Sequence, residues 1–176
     1  MSRLLIVVDM QNDFVDGALG FEGAETIIPK IISRISEYEE AGDDIVYTLD
    51  THGEDYMQTQ EGRKLPVPHC IKGQKGHELV PALKSILEGK RAFEKPVFGS
   101  LELGNFIAEN RGKYETIEVC GLVSNICVIS NAVIARAGDP EAEIVVDREL
   151  TASFDQKLND ETMDVLAGFQ VKVTGA

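Results

Sequence analysis

The chain has few of the features that would place it across a membrane, outside a cell or on a nucleic acid. Its N-terminal apolar run, Leu4 to Val8, is closed at once by Asp9. That run is too short for a signal peptide or a spanning helix, so a cytoplasmic protein without a membrane partner is expected. Cations are scarce: 17 lysines and arginines stand against 30 acids in 176 residues, a net charge of 17 − 30 = −13. Such a surface repels phosphate backbones and anionic lipid and argues against a nucleic-acid partner. Cysteine is limited to Cys70, Cys120 and Cys127, an odd count without regular spacing. A disulfide framework is thereby disfavoured and free thiols are expected. The chain contains no repeat, low-complexity tract or linker, so one domain over residues 1–176 is expected.

What is present is an alternation of buried-strand and helical patterns. Leu4 to Val8 is continuously apolar, and Ile27, Ile28, Ile31, Ile32, Ile35 and Tyr38 then recur at helical spacing up to Ala41-Gly42. Further strands are predicted at 44–50, 91–95, 116–120, 143–146 and 170–173. Helices are predicted at 79–87, 101–110, 125–137 and 156–167. Strands apolar on both faces and separated by helices indicate a six-stranded, mainly parallel sheet in a doubly wound α/β domain, with helices on both sides. In the common winding order strands 1 and 4 are neighbours, and ligands bind beyond their carboxyl ends.

That topology gives a meaning to Cys127. An ordinary thiol, with a pKa of about 8.5, needs a helix N-terminus, a cation or a base beside it to act as a nucleophile. Cys127 follows strand 4 at a predicted helix start, where the helix dipole favours thiolate, and Gly121 permits an unusual backbone path before it. Asp9 closes strand 1 and would face it across the switch point, although an acid at a strand end can equally be a cap. Lys95, held extended by Pro96, is either a solvated surface group or a cation for this site.

A second group is Asp50 and His52, two apart at a strand end, with His69 returning from a long loop. One aspartate and two histidines suit a divalent metal such as zinc or iron(II). Read alone the spacing leaves both a metal site and solvated loop residues open. Glu61 is a candidate further ligand. Cys70 would point away from His69 if that stretch is extended.

Taken in order, Asp9-x-Gln11-x-Asp13-Phe14, Asp50-x-His52, Pro68-His69-Cys70-x-x-Gly73, Lys95-Pro96-x-Phe98 and Gly121-Leu122-Val123-Ser124-Asn125-Ile126-Cys127-Val128 resemble the isochorismatase-like cysteine hydrolase superfamily. Within it they resemble the nicotinamidases. The resemblance implies a Rossmann-like three-layer sandwich and a triad of Asp9, Lys95 and Cys127. It implies one divalent ion, zinc first with iron or manganese as alternatives, on Asp50, His52 and His69 with Glu61 as a further acid. It also implies an oxyanion hole from the backbone N–H groups of Val123 and Cys127, a cis peptide at Leu122-Val123, and Phe14 stacking on the substrate ring. Three differences from the nicotinamidase pattern touch the substrate pocket: Thr51 stands where an aromatic is common, Ser124-Asn125 replaces a Thr-acid pair, and tryptophan is absent.

The expected function is hydrolysis of nicotinamide to nicotinate and ammonia through a thioester, with a small-molecule amide as partner and a homo-oligomeric assembly. A relative acting on another small amide or on isochorismate stays open, as does a non-catalytic small-molecule-binding or redox-sensing thiol protein.

Overall fold

Strand β1 (Ser2–Val8) is the centre of the molecule: Leu4 to Val8 are all fully buried. The structure, a computed structural model, describes residues 2–176. Alternate side chains of β1 leave to opposite faces, as the strand period of two requires. Leu4, Ile6 and Val8 enter one core and Leu5 and Val7 another.

The other strands are β2 (Asp44–Asp50), β3 (Arg91–Lys95), β4 (Tyr114–Leu122), β5 (Glu143–Asp147), β6 (Thr151–Ala152) and β7 (Lys172–Thr174). The sheet runs β3-β2-β1-β4-β5-β7, with β6 pairing beside β4, and every pairing is parallel. The helices are α1 (Asn12–Val15), α2 (Ile28–Ala41), α3 (Gln60–Lys64), α4 (Pro81–Lys84), α5 (Leu101–Glu109), α6 (Ile129–Gly138) and α7 (Gln156–Gly168). One core holds Leu103 and Ile107 of α5, Ala132 and Ala135 of α6, and Met163 and Leu166 of α7. The other holds Ile31, Ile35 and Tyr38 of α2 and Leu83 of α4. A parallel sheet covered on both faces is the three-layer α/β architecture expected, with β1 and β4 adjacent. Among the described residues no helix is long and apolar enough to cross a membrane.

Three details differ from the expectation. The six predicted strands are joined by a seventh, β6, whose two residues are too few for a hydropathy pattern. The helix expected at 79–87 shrinks to α4, which begins at Pro81 as proline at a helix start allows and closes into turns after Lys84. The helix after β4 opens with a π-helical turn, Ser124–Val128, before α6.

Strand β4 is not purely apolar. Glu118 is buried in it, hydrogen-bonded by the Tyr38 hydroxyl at 2.9 Å and ion-paired with Arg34, which also reaches Asp147 at 3.3 Å. An unpaired carboxylate there would be strongly destabilising, so the pairing to α2 offsets its burial.

The close approach of β4 to β1 depends on Gly121, whose φ is +112°. A Cβ at this position would lie 2.1 Å from the carbonyl oxygen of Val8. Backbone atoms of two central strands cannot give way as a side-chain tip can. Gly121→Ala is therefore expected to lower the unfolding free energy by about 3 kcal/mol or more, through overpacking and the unfavourable φ. A urea denaturation midpoint equal to that of the parent would contradict this packing.

Candidate active site and metal centre

Strand register brings the chemistry together at the carboxyl edge of the sheet. Val8 pairs with Thr48 and with Gly121, and Asp50 pairs with Lys95. Asp9, Asp50, Lys95 and the turn carrying Cys127 therefore leave adjacent strands at one end.

Asp9 is fully buried and adopts a left-handed backbone, φ 48°, which aspartate tolerates better than most residues. Its N–H donates to both the carbonyl and the hydroxyl oxygen of Thr48, each at 3.2 Å. The Thr48 hydroxyl donates in return to Asp9 Oδ1 at 2.6 Å. Oδ2 lies 2.6 Å from Lys95 Nζ. That contact is a short, charge-assisted one between a buried carboxylate and a buried ammonium.

Lys95 is 1% exposed. Besides Asp9, its ammonium reaches Asp50 Oδ1 at 3.4 Å, the Val97 carbonyl at 3.2 Å and Cys127 Sγ at 3.6 Å. Burial acts to lower its pKa, but Asp9, Cys127 and Asp50 outweigh burial and raise it, so the side chain stays charged. Asp9 is raised from its ordinary value because burial penalises the carboxylate more than Lys95 favours it.

Cys127 is 4% exposed and lies in the π-helical turn. Its carbonyl accepts from Asn131 Nδ2 at 2.8 Å, and the same amide nitrogen donates to Phe98 O at 3.1 Å. Asn131 thus fastens the turn carrying Cys127 to the segment following Lys95. The helix start favours thiolate, yet burial pushes the Cys127 thiol well above its ordinary pKa, Asp9 adds to this, and Lys95 opposes it. The desolvation of a buried sulfur outweighs the helix start, so the resting group is a thiol beside a carboxylate. Cys70 and Cys120 are also pushed up by burial, but neither has an ammonium in contact with its sulfur.

Three metal-ligating side chains converge next to this group. The Asp50 Oδ2 atom lies 3.0 Å from His52 Nε2 and 3.2 Å from His69 Nε2. Ligand atoms of these three buried residues all fall within 4.8 Å of one another. The Nδ1 of His69 is 2.8 Å from the Val67 carbonyl, an acceptor, so Nδ1 carries a proton. In the neutral tautomer Nε2 then presents a lone pair to the Asp50 carboxylate. With Asp50 and His52 beside it, this is a donor set and second-layer hydrogen bond that suit a metal-binding histidine. Glu61 Oε1 stands 3.6 Å from His69 Nε2 and 3.8 Å from His52 Nε2, beside the three-residue cluster. Burial pushes Asp50 up, yet hydrogen bonds with His52 and His69 and the charge of Lys95 hold it below the usual carboxylate range.

The remaining predicted residues also lie here. The Phe14 ring meets His69 edge-on at 5.7 Å, and the Leu122–Val123 peptide is cis. Val123 and Cys127 flank one turn. Cys70 differs from the expectation: it is not extended but has φ 46°, because its N–H donates to Asp13 Oδ2 at 2.7 Å. Its thiol still lies outside the metal-ligating cluster.

Residues without a predicted role complete the site. Gln11 accepts from the Asp50 N–H at 2.8 Å and donates to the Asp50 and His77 carbonyls at 2.9 and 2.8 Å. His77 Nε2 in turn lies 2.8 Å from Thr51 Oγ1, whose hydroxyl donates to Leu49 O. Only the position of Gln11 two residues beyond a strand-ending acid offered a sequence signal.

The isochorismatase domain model matches residues 3–176. An uncharacterized isochorismatase family protein, PncA, of Bacillus subtilis strain 168 is 31% identical over 170 residues, 89% of this chain and 90% of that one. The crystal structure of nicotinamidase/pyrazinamidase PncA from Bacillus subtilis superposes with a TM-score of 0.87 at 26% identity, covering 99% of this chain and all of that one. The pyrazinamidase of Pyrococcus horikoshii, solved in complex with zinc, shares the fold with a TM-score of 0.82 at 24% identity over the whole of both chains. With the family model spanning nearly the whole chain and the relatives agreeing with it, the chain belongs to the isochorismatase family of hydrolases.

Proposed function

We propose that this hydrolase is a nicotinamidase, cleaving the carboxamide of nicotinamide to nicotinate and ammonia with Cys127 as nucleophile. The observation that carries the reading is the fully buried Asp9 carboxylate, held 2.6 Å from a lysine ammonium that also touches the Cys127 sulfur. Asp9 takes the Cys127 proton, and Lys95 favours the thiolate so formed. The sulfur attacks the amide carbonyl, and the backbone N–H groups of Val123 and Cys127 donate to the oxyanion, each worth about 3 kcal/mol. Protonated Asp9 delivers its proton to the departing nitrogen, ammonia leaves, and a thioester remains. Water then attacks the thioester carbonyl while Asp9 accepts its proton. Collapse of that second tetrahedral species breaks the C–S bond, frees the acid and returns the proton to sulfur.

Asp50, His52 and His69, with Glu61 at the margin, would hold one divalent ion, zinc first by their nitrogen and oxygen donors. When bound, it supplies a Lewis-acid position for a ring nitrogen and so orients the ring. Phe14 lies against that centre and gives the ring a flat wall. Isochorismate is a poorer fit, since the hollow beside Val123 and Ile126 has only apolar walls and a dianion there would be unpaired.

Cys127→Ala is expected to abolish ammonia release from nicotinamide while leaving the circular dichroism spectrum unchanged, and Cys120→Ala should keep turnover. Activity surviving in Cys127→Ala would falsify the assignment of the nucleophile. Metal analysis should find about one equivalent per chain, and chelation should remove activity that added zinc restores. A fully active metal-free protein would exclude the orienting role.

Lys95 is expected to act as a fixed positive charge. Lys95→Met should raise the apparent pKa of Cys127 in a pH series of thiol alkylation, because the thiolate loses its cation. Lys95→Arg keeps the charge on a larger planar group and should retain more activity than Lys95→Met, though less than the parent. An alkylation profile unmoved by Lys95→Met rules out an electrostatic role for Lys95.

A further inference from the structure

Beside the nucleophile turn lies a cavity of about 440 Å³, and its chemistry differs from that of the metal side. Phe14 and Val123 form its inner wall, Leu19 and Ile126 its sides, and Leu65 and Phe154 its rim. All its lining side chains are apolar. Ala18 also walls a second hollow of about 520 Å³ with a mixed lining, in which Asp13, His69 and Lys75 stand beside Met57 and Ile71. Phe14, on the wall of the first cavity, meets His69, on the wall of the second.

The two rim residues are exposed yet held. Leu65 is 38% and Phe154 59% exposed. The Leu65 carbonyl accepts from the Tyr56 hydroxyl at 2.9 Å, and its N–H donates to the Glu61 carbonyl at 2.8 Å. Phe154 follows Ser153, whose hydroxyl donates to Asn125 Oδ1 at 2.7 Å, tying it to the same turn as Cys127. The Phe21 ring packs against Phe154 at 6.4 Å, edge to face. Neither side chain is the tip of a loose loop, and both face a cavity of the size that ordinarily takes a drug-sized ligand rather than one small ring.

We infer that the substrate of this site is an uncharged aromatic carboxamide carrying an apolar ring substituent, and that Leu65 and Phe154 read that substituent. The inference rests on the amidase reading above. A carboxamide whose ring lies against Phe14 has the apolar cavity beside it. An alkyl group or fused ring entering the apolar cavity removes hydrocarbon surface from water on both partners, worth about fourfold in kcat/KM for each methylene. A charged substituent finds no partner among the lining side chains.

The test compares kcat/KM for nicotinamide, its 5-ethyl and 6-ethyl derivatives, and the corresponding carboxylates, using the metal-loaded protein. One ethyl derivative should exceed nicotinamide roughly tenfold, and the carboxylate at that position should fall at least tenfold below it. In Phe154→Ser and in Leu65→Asn the ratio of ethyl to plain substrate should return towards one. Turnover of nicotinamide with no gain from either ethyl group overturns the inference and leaves the amidase reading standing. An ethyl preference that survives both substitutions overturns the role given to Leu65 and Phe154. No turnover of any carboxamide overturns the amidase reading and this inference with it.

Discussion

The arrangement of the site depends on one buried ammonium. Lys95, 1% exposed, is the only cation in contact with Asp9, Asp50 and Cys127 among the described residues. Removing an ammonium from water costs several kcal/mol, and two carboxylates so near each other would repel in a medium of low dielectric. Each half of this problem resolves the other. Lys95 gives Asp9 and Asp50 a common counter-charge, and the two acids keep Lys95 protonated in spite of its burial. Because these residues end strands β3, β1 and β2, the same contacts fix how three strand ends lie against one another.

That shared charge separates the work of the two carboxylates. Asp50 faces His52 and His69 as well as Lys95, and these partners hold it ionised. Asp9 has one hydroxyl donor, one ammonium contact and complete burial, and its proton affinity is raised. An acid that stays ionised suits a cation centre, while one with increased basicity suits proton transfer. The protonated resting state of Cys127 belongs to the same logic. A neutral thiol in contact with a basic carboxylate avoids placing a second buried anion beside Asp9, and the charge need form on sulfur only as the proton moves.

Much of this was legible in the sequence because it is written in strand endings. Asp9 and Asp50 close apolar runs, His52 follows Asp50 by two, and parallel pairing carries them to one edge whatever the details of the loops. Lys95 was a weaker signal, since nothing in Glu94-Lys95-Pro96 distinguishes a buried lysine from a solvated one. Its burial follows from the pairing of β3 with β2, a long-range fact. Gln11 and Asn131 were still less legible. Their partners are backbone carbonyls and N–H groups of segments 30 to 70 residues away, for which no local pattern exists. The raised proton affinity of Cys127 was not legible for a related reason: a helix start can be read locally, whereas desolvation is a property of the packed core.

The asymmetry about Phe14 ties these electrostatics to specificity. On its His69 side the cavity walls mix charged and hydrogen-bonding groups with Met57, Pro68 and Ile71, so they can orient a ligand by polar contact. On its Val123 side the walls supply only surface, so they select by volume and by the absence of charge. The two sides are joined through the nucleophile turn: Val123 and Ile126 wall the apolar cavity, Asn125 anchors the segment bearing Phe154, and Cys127 contacts Lys95. A substitution of Ile126 therefore acts at once on what the apolar side accepts and on the five-residue turn that carries the sulfur. Binding on that side and positioning of the thiol are coupled through one short piece of backbone.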